Sequence, residues 1–210
     1  MNKLVVIGGG GNAKVLISIL KRLNTFNIIG YTDKKNNGNI LGVGYLGEDS
    51  VLESILNREG KCNAIIGIGQ VNVSAARENI ANNLLKLGFN LPAIVSDKAI
   101  VNEEVSLGKG TLVYDGVIIN SGAEVGDFCL INTGSIVEHD CRIGNFVHLA
   151  SGAVLGGGVK VGNGSMIGLG SRVIQYREIT AGCLVGAGTV VTADCTQSGT
   201  YVGIPAKKIK

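Results

Sequence analysis

The sequence predicts two joined units of different class, an α/β domain over residues 1–95 and an all-β parallel helix of six-residue repeats over 96–210. Three observations carry this reading. Glycine occurs 33 times among 210 residues, about twice its usual share, while proline occurs twice and aromatic residues make up 4%. From Ala99 to Asp194 the chain keeps an unbroken period of six. Before that stretch, short apolar runs alternate with amphipathic ones instead.

Cut into sixes from Ala99, the chain puts Val, Leu or Ile at the third place of sixteen consecutive blocks, from Val101, Leu107 and Val113 to Val185 and Val191. The first place is small or aliphatic apart from Arg177, and glycine crowds the fourth and sixth. One obligatory aliphatic residue in six means a short strand followed by a tight turn. Three such units close a triangular coil, which stacks on the next at about the 4.8 Å strand spacing. The third-place residue points inward, and glycine supplies turn geometry that a Cβ would obstruct. Cys129, Cys141 and Cys183 all fall at the first place and read as packed core thiols.

In the front domain, Leu4–Ile7 reads as a strand, followed by the glycine run Gly8 to Gly11, Asn12 and an amphipathic helix from Ala13 to Leu23. A second strand spans Asn27–Tyr31 and leads to Asp33; Val51 to Leu56 reads as helical, Ala64–Ile68 as a third strand and Ala75–Leu87 as a helix. Alternating strands and helices predict a small parallel sheet of Rossmann type. Gly8, Gly10 and Ala13 fit G-x-G-x-x-A with an acid after the second strand, the pattern by which N–H groups at a helix start hold phosphates. About 95 residues make half a dinucleotide fold, so a mononucleotide diphosphate fits better than NAD. The plainer alternative is that the glycines only make a tight strand-to-helix turn.

The N-terminus shows no leader pattern and no apolar stretch approaches the roughly 20 residues of a membrane span, so a cytoplasmic protein is expected. Five cysteines, an odd number, argue against a disulfide framework. The net charge is +3, and residues 99–194 carry five basic against nine acidic side chains, a poor footprint for nucleic acid.

Only two histidines exist, His139 and His148, both inside the repeat and neither at the inward third place. His139 lies in Glu138-His139-Asp140. A histidine on the prism surface can be idle, but acyl transfer needs a base that works near neutrality, and imidazole supplies one.

A front nucleotide-binding domain, an uninterrupted hexad prism carrying Glu-His-Asp, and a Gly203-Ile204-Pro205-Ala206-Lys207 tail together resemble the bacterial NeuD/PglD-type sugar acetyltransferases along the whole chain. The resemblance implies a left-handed parallel β-helix, acetyl-CoA as donor, and a homotrimer with active sites between neighbouring prisms. It implies as acceptor the amine of a nucleotide-linked 4-amino-sugar, with UDP as the nucleotide. An alternative within the family is O-acetylation of sialic acid, and one outside enzymology is a non-catalytic nucleotide-sugar scaffold. By the same resemblance His139 matches the catalytic base and Asp140 its acidic neighbour, which is Glu in the bacillosamine-pathway enzymes. His148 matches a residue contacting the donor, and Gly157 the backbone N–H that holds the thioester oxygen. Leu169 and Ala187 match the CoA channel, and Pro205 with Lys207 the adenine end. Gly10, Gly11, Asn12, Asp33, Lys34 and Gly69 match the nucleotide-sugar contacts, Asn12 standing where those enzymes have His. No metal is expected: the zinc site of β-helical carbonic anhydrases takes three histidines, and this chain has two.

Overall fold

The computed structural model describes residues 2–70, 73 and 75–210. One compact unit holds residues 2–70 and 75–92, and the second begins at Ala93.

In the first unit, β1 (Asn2–Ile7), α1 (Gly11–Leu23), β2 (Phe26–Thr32), β3 (Tyr45–Gly47), α2 (Leu52–Glu59), β4 (Asn63–Ile66) and α3 (Ala76–Leu87) follow in order. The sheet order is β3-β2-β1-β4, all parallel. Leu4 to Ile7 are fully buried because helices cover both faces of such a sheet. Helix α1 buries Ala13, Leu16, Ile17, Ile19 and Leu20, a stripe at helical spacing, and ends on Asn24 in the left-handed conformation, its N–H donating to the Leu20 carbonyl. Sequence reading missed β3. It is a three-residue edge strand, half-buried along its length, with no apolar run to announce it. Strand β4 ends at Ile66, two residues before the apolar run does, although Gly67 N–H still donates to the Ile7 carbonyl of β1 (2.7 Å).

The second unit stacks its strands every third hexad, so that three hexads make one coil: Ile100 pairs with Ile118, Ile118 with Ile136, Ile136 with Val154, all parallel. Three sheets of six, five and eight strands form the three faces. The first coil strand is Ile94–Val95, so the pairing starts before residue 96. Ala93 to Lys98 is itself a hexad with Val95 at its third place. The last strand pair, Tyr201 with Lys208 and Val202 with Lys207, is antiparallel and brings the tail back along the final coil.

Two places per hexad face inward, as the first-place cysteines foreshadow. Third-place residues from Val113 to Val191 are buried, and so are first-place residues from Thr111 onward apart from Arg177. Most polar first-place side chains hydrogen-bond to the next coil, whereas Ser135 donates to the Asn132 carbonyl of its own coil (2.7 Å). Thr111 donates to the carbonyl of Gly126 (2.7 Å), Ser165 to Thr180 (3.0 Å), Ser171 to Gly186 (2.6 Å), and the thiols of Cys129 and Cys141 to Gly144 (3.0 Å) and Gly156 (3.3 Å). At these five places Ser, Thr and Cys interchange, each filling a small volume and satisfying an equivalent buried carbonyl. All five cysteines are reduced and buried.

The glycine pattern has two causes. From Glu104 to Gly188 every sixth-place residue has φ between +55° and +74°, the left-handed region that costs an L-residue roughly 1–2 kcal/mol. Ten of those places are glycine; Glu104, Phe128, Asp140, Phe146 and Tyr176 are not. Fourth-place glycines answer to packing, as at Gly156, where a Cβ would stand 2.7 Å from the Gln175 nitrogen of the next coil. Among the described residues no helix is long and apolar enough to cross a membrane.

Candidate active site

Three predicted residues come together at the prism corner between the six-stranded and five-stranded faces. The imidazole Nδ1 of His139 lies 2.9 Å from Asp140 Oδ2. Its other nitrogen, Nε2, rests against Gly157, one full coil further along the chain; a Cβ added there would sit 2.5 Å from Nε2. The backbone holds this register, since Gly158 N–H donates to the His139 carbonyl at 2.8 Å. Asp140 occupies a sixth place at φ +58°, where Asp is among the least penalised residues other than glycine. The conformation sets its carboxylate beside Nδ1. A carboxylate there keeps the proton on Nδ1 and leaves Nε2 as the free lone pair.

The neighbouring corner shows what the His139 corner leaves open. At the fifth places of that corner, Asp127, Asn145 and Asn163 each accept from a backbone N–H of the preceding coil: Lys109 (3.0 Å), Asp127 (2.8 Å) and Asn145 (2.8 Å). The His139 corner carries no such ladder. Gly157 has no side chain to join one, and among the described residues no backbone carbonyl accepts from its own N–H. That leaves the Gly157 N–H without a backbone acceptor, in the residue that packs on Nε2.

The remaining prism residues lie elsewhere. Leu169 and Ala187 are consecutive fifth-place residues of a different corner, Leu169 60% exposed and its carbonyl accepting from Gly188 N–H. His148 corrects its expected surface position: it is 5% exposed, on the eight-stranded face, paired in register with Leu130 and Met166. A second-place residue points outward from its own prism, yet this one is buried. Pro205 and Lys207 are exposed on the returning tail, which Ala206 anchors by donating to the Val190 carbonyl (2.8 Å). Burial pushes the Cys141 thiol up to about 11, which disqualifies it as a nucleophile near neutrality.

In the first unit the glycine run divides by cause. Gly8 has φ +103° with Ile68 in the way of a Cβ, and a Cβ on Gly9 would stand 2.8 Å from Cδ2 of buried Tyr31. Gly10 and Gly11 have nothing within 4 Å of an added Cβ, so no protein contact requires them to be glycine. They open α1, whose N-cap makes no side-chain hydrogen bond and whose first turn holds no acidic residue, the setting in which helix N–H groups hold anions. Asp33 Oδ2 accepts from Gly9 N–H at 2.6 Å and so clamps the turn. The turn lies where the sheet order reverses between β1 and β4, the place where ligands bind in open α/β sheets. Asn12 Nδ2 donates to the Gly67 carbonyl across that switch point (3.0 Å), and Gly69 packs on Asn12.

Two depressions flank the turn. One of about 480 Å³ is lined by Gly10, Gly11, Lys14, Asn37 and Asn39; the other, of about 320 Å³, by Asp33, Lys34, Asp49, Ile68 and Asn79. Sequence reading passed over Lys14. Its signal was present, a cation one helical turn beyond the glycines.

The hexad prism and the α/β domain opened by a glycine turn define a hexapeptide-repeat acyltransferase with an α/β front domain. Residues 3–84 match the model of the PglD N-terminal domain, and residues 122–157 that of the bacterial transferase hexapeptide. Among solved structures, the acetyltransferase domain of PglB from Neisseria gonorrhoeae is 31% identical, with each chain covered in full and a TM-score of 0.92. PerB from Caulobacter crescentus, solved with CoA and GDP-perosamine, is 36% identical over 100% of this chain and 98% of its own, with a TM-score of 0.91. WeeI from Acinetobacter baumannii is 26% identical over both full lengths, with a TM-score of 0.88. Nothing among the curated proteins matches. The chain belongs to the NeuD/PglD-type family of acetyl-CoA-dependent sugar acetyltransferases.

Proposed function

We propose that this enzyme transfers acetyl from acetyl-CoA to the amino group of a nucleoside-diphosphate-linked 4-amino-sugar, with His139 as general base. The observation that carries the reading is the His139 imidazole, oriented by Asp140 through Nδ1 and set against Gly157 through Nε2. Nε2 takes a proton from the amine as its nitrogen attacks the thioester carbon. The carbonyl oxygen becomes an oxyanion and receives the Gly157 N–H, an interaction worth about 3 kcal/mol in comparable sites. Collapse breaks the C–S bond, and the CoA thiolate leaves as the thiol by taking from His139 the proton that came from the amine. No covalent acyl-enzyme is needed.

The acceptor's diphosphate sits at Gly10, Gly11 and the start of α1, with Lys14 supplying charge. Asn12, Asp33, Lys34 and Gly69 shape the adjoining nucleoside site. The donor runs past Leu169 and Ala187 to Pro205 and Lys207, while His148, buried on the eight-stranded face, lies out of its reach. Because Leu169 and Ala187 stand on a different corner from His139, a single chain cannot wrap one donor with all of them. A homotrimer, in which one prism supplies His139 and its neighbour the channel wall, resolves this. It also closes a site whose base is otherwise 54% exposed.

The resemblance favours UDP as the nucleotide; GDP is the second reading and rests on PerB's complex with GDP-perosamine. Thiol release from acetyl-CoA, measured against UDP-, GDP- and dTDP-linked 4-amino-sugars and free sialic acid, tests both readings. Turnover with a nucleotide-linked amino-sugar is expected. Turnover with sialic acid alone would replace N- by O-acetylation, and no thiol release with any acceptor would leave a binding scaffold.

A further inference from the structure

The corner that carries His139 and Gly157 continues one coil further, to Gln175 and Tyr176. Tyr176 holds a sixth place at φ +55°, a conformation unfavourable for a bulky aromatic residue. Phe128 and Phe146 hold the same conformation at another corner, and their packing accounts for it: the rings stack with centroids 5.0 Å apart, and Phe128 is buried. Tyr176 has no such compensation, for it is 68% exposed. Its ring lies over Gly158, where an added Cβ would stand 2.6 Å from Cδ1. The chain thus holds an exposed aromatic ring in an unfavourable backbone conformation, fixed against the residue next to Gly157.

We propose that Tyr176 binds the acyl donor, its ring forming a wall against the pantetheine arm of acetyl-CoA. This rests on the reading of His139 as base and the Gly157 N–H as oxyanion donor. Along the corner the order is His139 and Asp140, then Gly157 and Gly158, then Gln175 and Tyr176, so the base and the tyrosine flank the glycines from opposite sides. The acceptor amine must reach Nε2 and therefore takes the His139 side. With the carbonyl oxygen at Gly157, the sulfur and its arm leave on the Tyr176 side. A tyrosine suits that arm, which alternates methylene groups with amides: the ring face packs on the former and the hydroxyl hydrogen-bonds the latter.

Tyr176→Gly tests this, because it installs the residue the sixth place prefers and should not cost stability. Calorimetric titration with CoA is expected to show Kd raised by about three- to tenfold. KM for acetyl-CoA should rise in parallel, with kcat and the acceptor KM within about twofold. Tyr176→Phe is expected to retain most of the affinity, since the ring carries the contact. An unchanged Kd for CoA would overturn the proposal. So would a raised acceptor KM with donor affinity intact, and so would a change in sedimentation accompanying the loss, which would make the ring an assembly contact. Since the titration needs no turnover, its result stands apart from the base assignment, which only a fully active His139→Ala protein would defeat.

Discussion

The imidazole of His139 and the α-carbon of Gly157 meet across one coil of the prism, three hexads apart in the chain, so that a single methyl group at Gly157 would lie 2.5 Å from Nε2. The base and the proposed oxyanion donor are therefore one packing unit. Gly157→Ala is expected to push the ring aside and lower kcat by about 10²-fold. His139→Ala should lower it by about 10²- to 10⁴-fold while KM for acetyl-CoA changes little. The double variant should be no worse than His139→Ala, because residues acting as a unit are not additive. Steady-state kinetics of the three proteins check this, and a double variant markedly slower than His139→Ala would separate the two residues.

Asp140 holds its carboxylate at Nδ1 at a cost in backbone energy. Asp140→Gly restores the residue that ten of the fifteen sixth places carry. Tm should stay within about 3 °C of the parent or exceed it, since relief of the left-handed conformation offsets the added chain entropy. kcat should fall by about tenfold, less than in His139→Ala, because the imidazole remains but loses its orientation. A fall in both Tm and kcat would make Asp140 a structural residue.

The glycine run should respond in two ways. Gly9→Ala drives a methyl group into the buried Tyr31 ring and should cost about 1–3 kcal/mol of stability, read from denaturant midpoints. A Cβ at Gly11 meets no protein atom within 4 Å, so Gly11→Val should leave Tm close to the parent, yet raise the acceptor Kd by about tenfold or more by blocking the approach to the α1 N–H groups. Donor affinity should not move. Gly11→Val binding the nucleotide normally would reduce the run to a turn.

Burial pushes the Cys141 thiol from 9.0 up to about 11. Between those values the unfolded chain has lost a proton that the folded one keeps, so stability is full below pH 9 and declines as pH rises towards 11. Cys141→Ser keeps a donor for the Gly156 carbonyl. It should make the decline between about pH 9 and 10.5 shallower and leave kcat within about twofold. Cys195, also raised to about 11, contributes in the same direction. A large loss of kcat in Cys141→Ser would reopen covalent catalysis.

The sequence by itself determined the prism, because a β-helix is a local rule repeated: sixteen third-place aliphatics and a glycine beat specify strand, turn and stacking without distant information. It also marked His139 and Asp140, which are chain neighbours, and the glycine turn before α1. Tertiary structure alone decided the rest. That Nε2 rests on Gly157 depends on a coil of three hexads closing in register, and that His148 is buried depends on what covers an outward-facing position, which no hexad pattern encodes. The division of the glycines, Gly8 and Gly9 set by Ile68 and Tyr31 but Gly10 and Gly11 open, appears only once β2 and the segment after β4 fold against the turn. A period states which face a side chain takes, whereas only the packed chain states what stands opposite it.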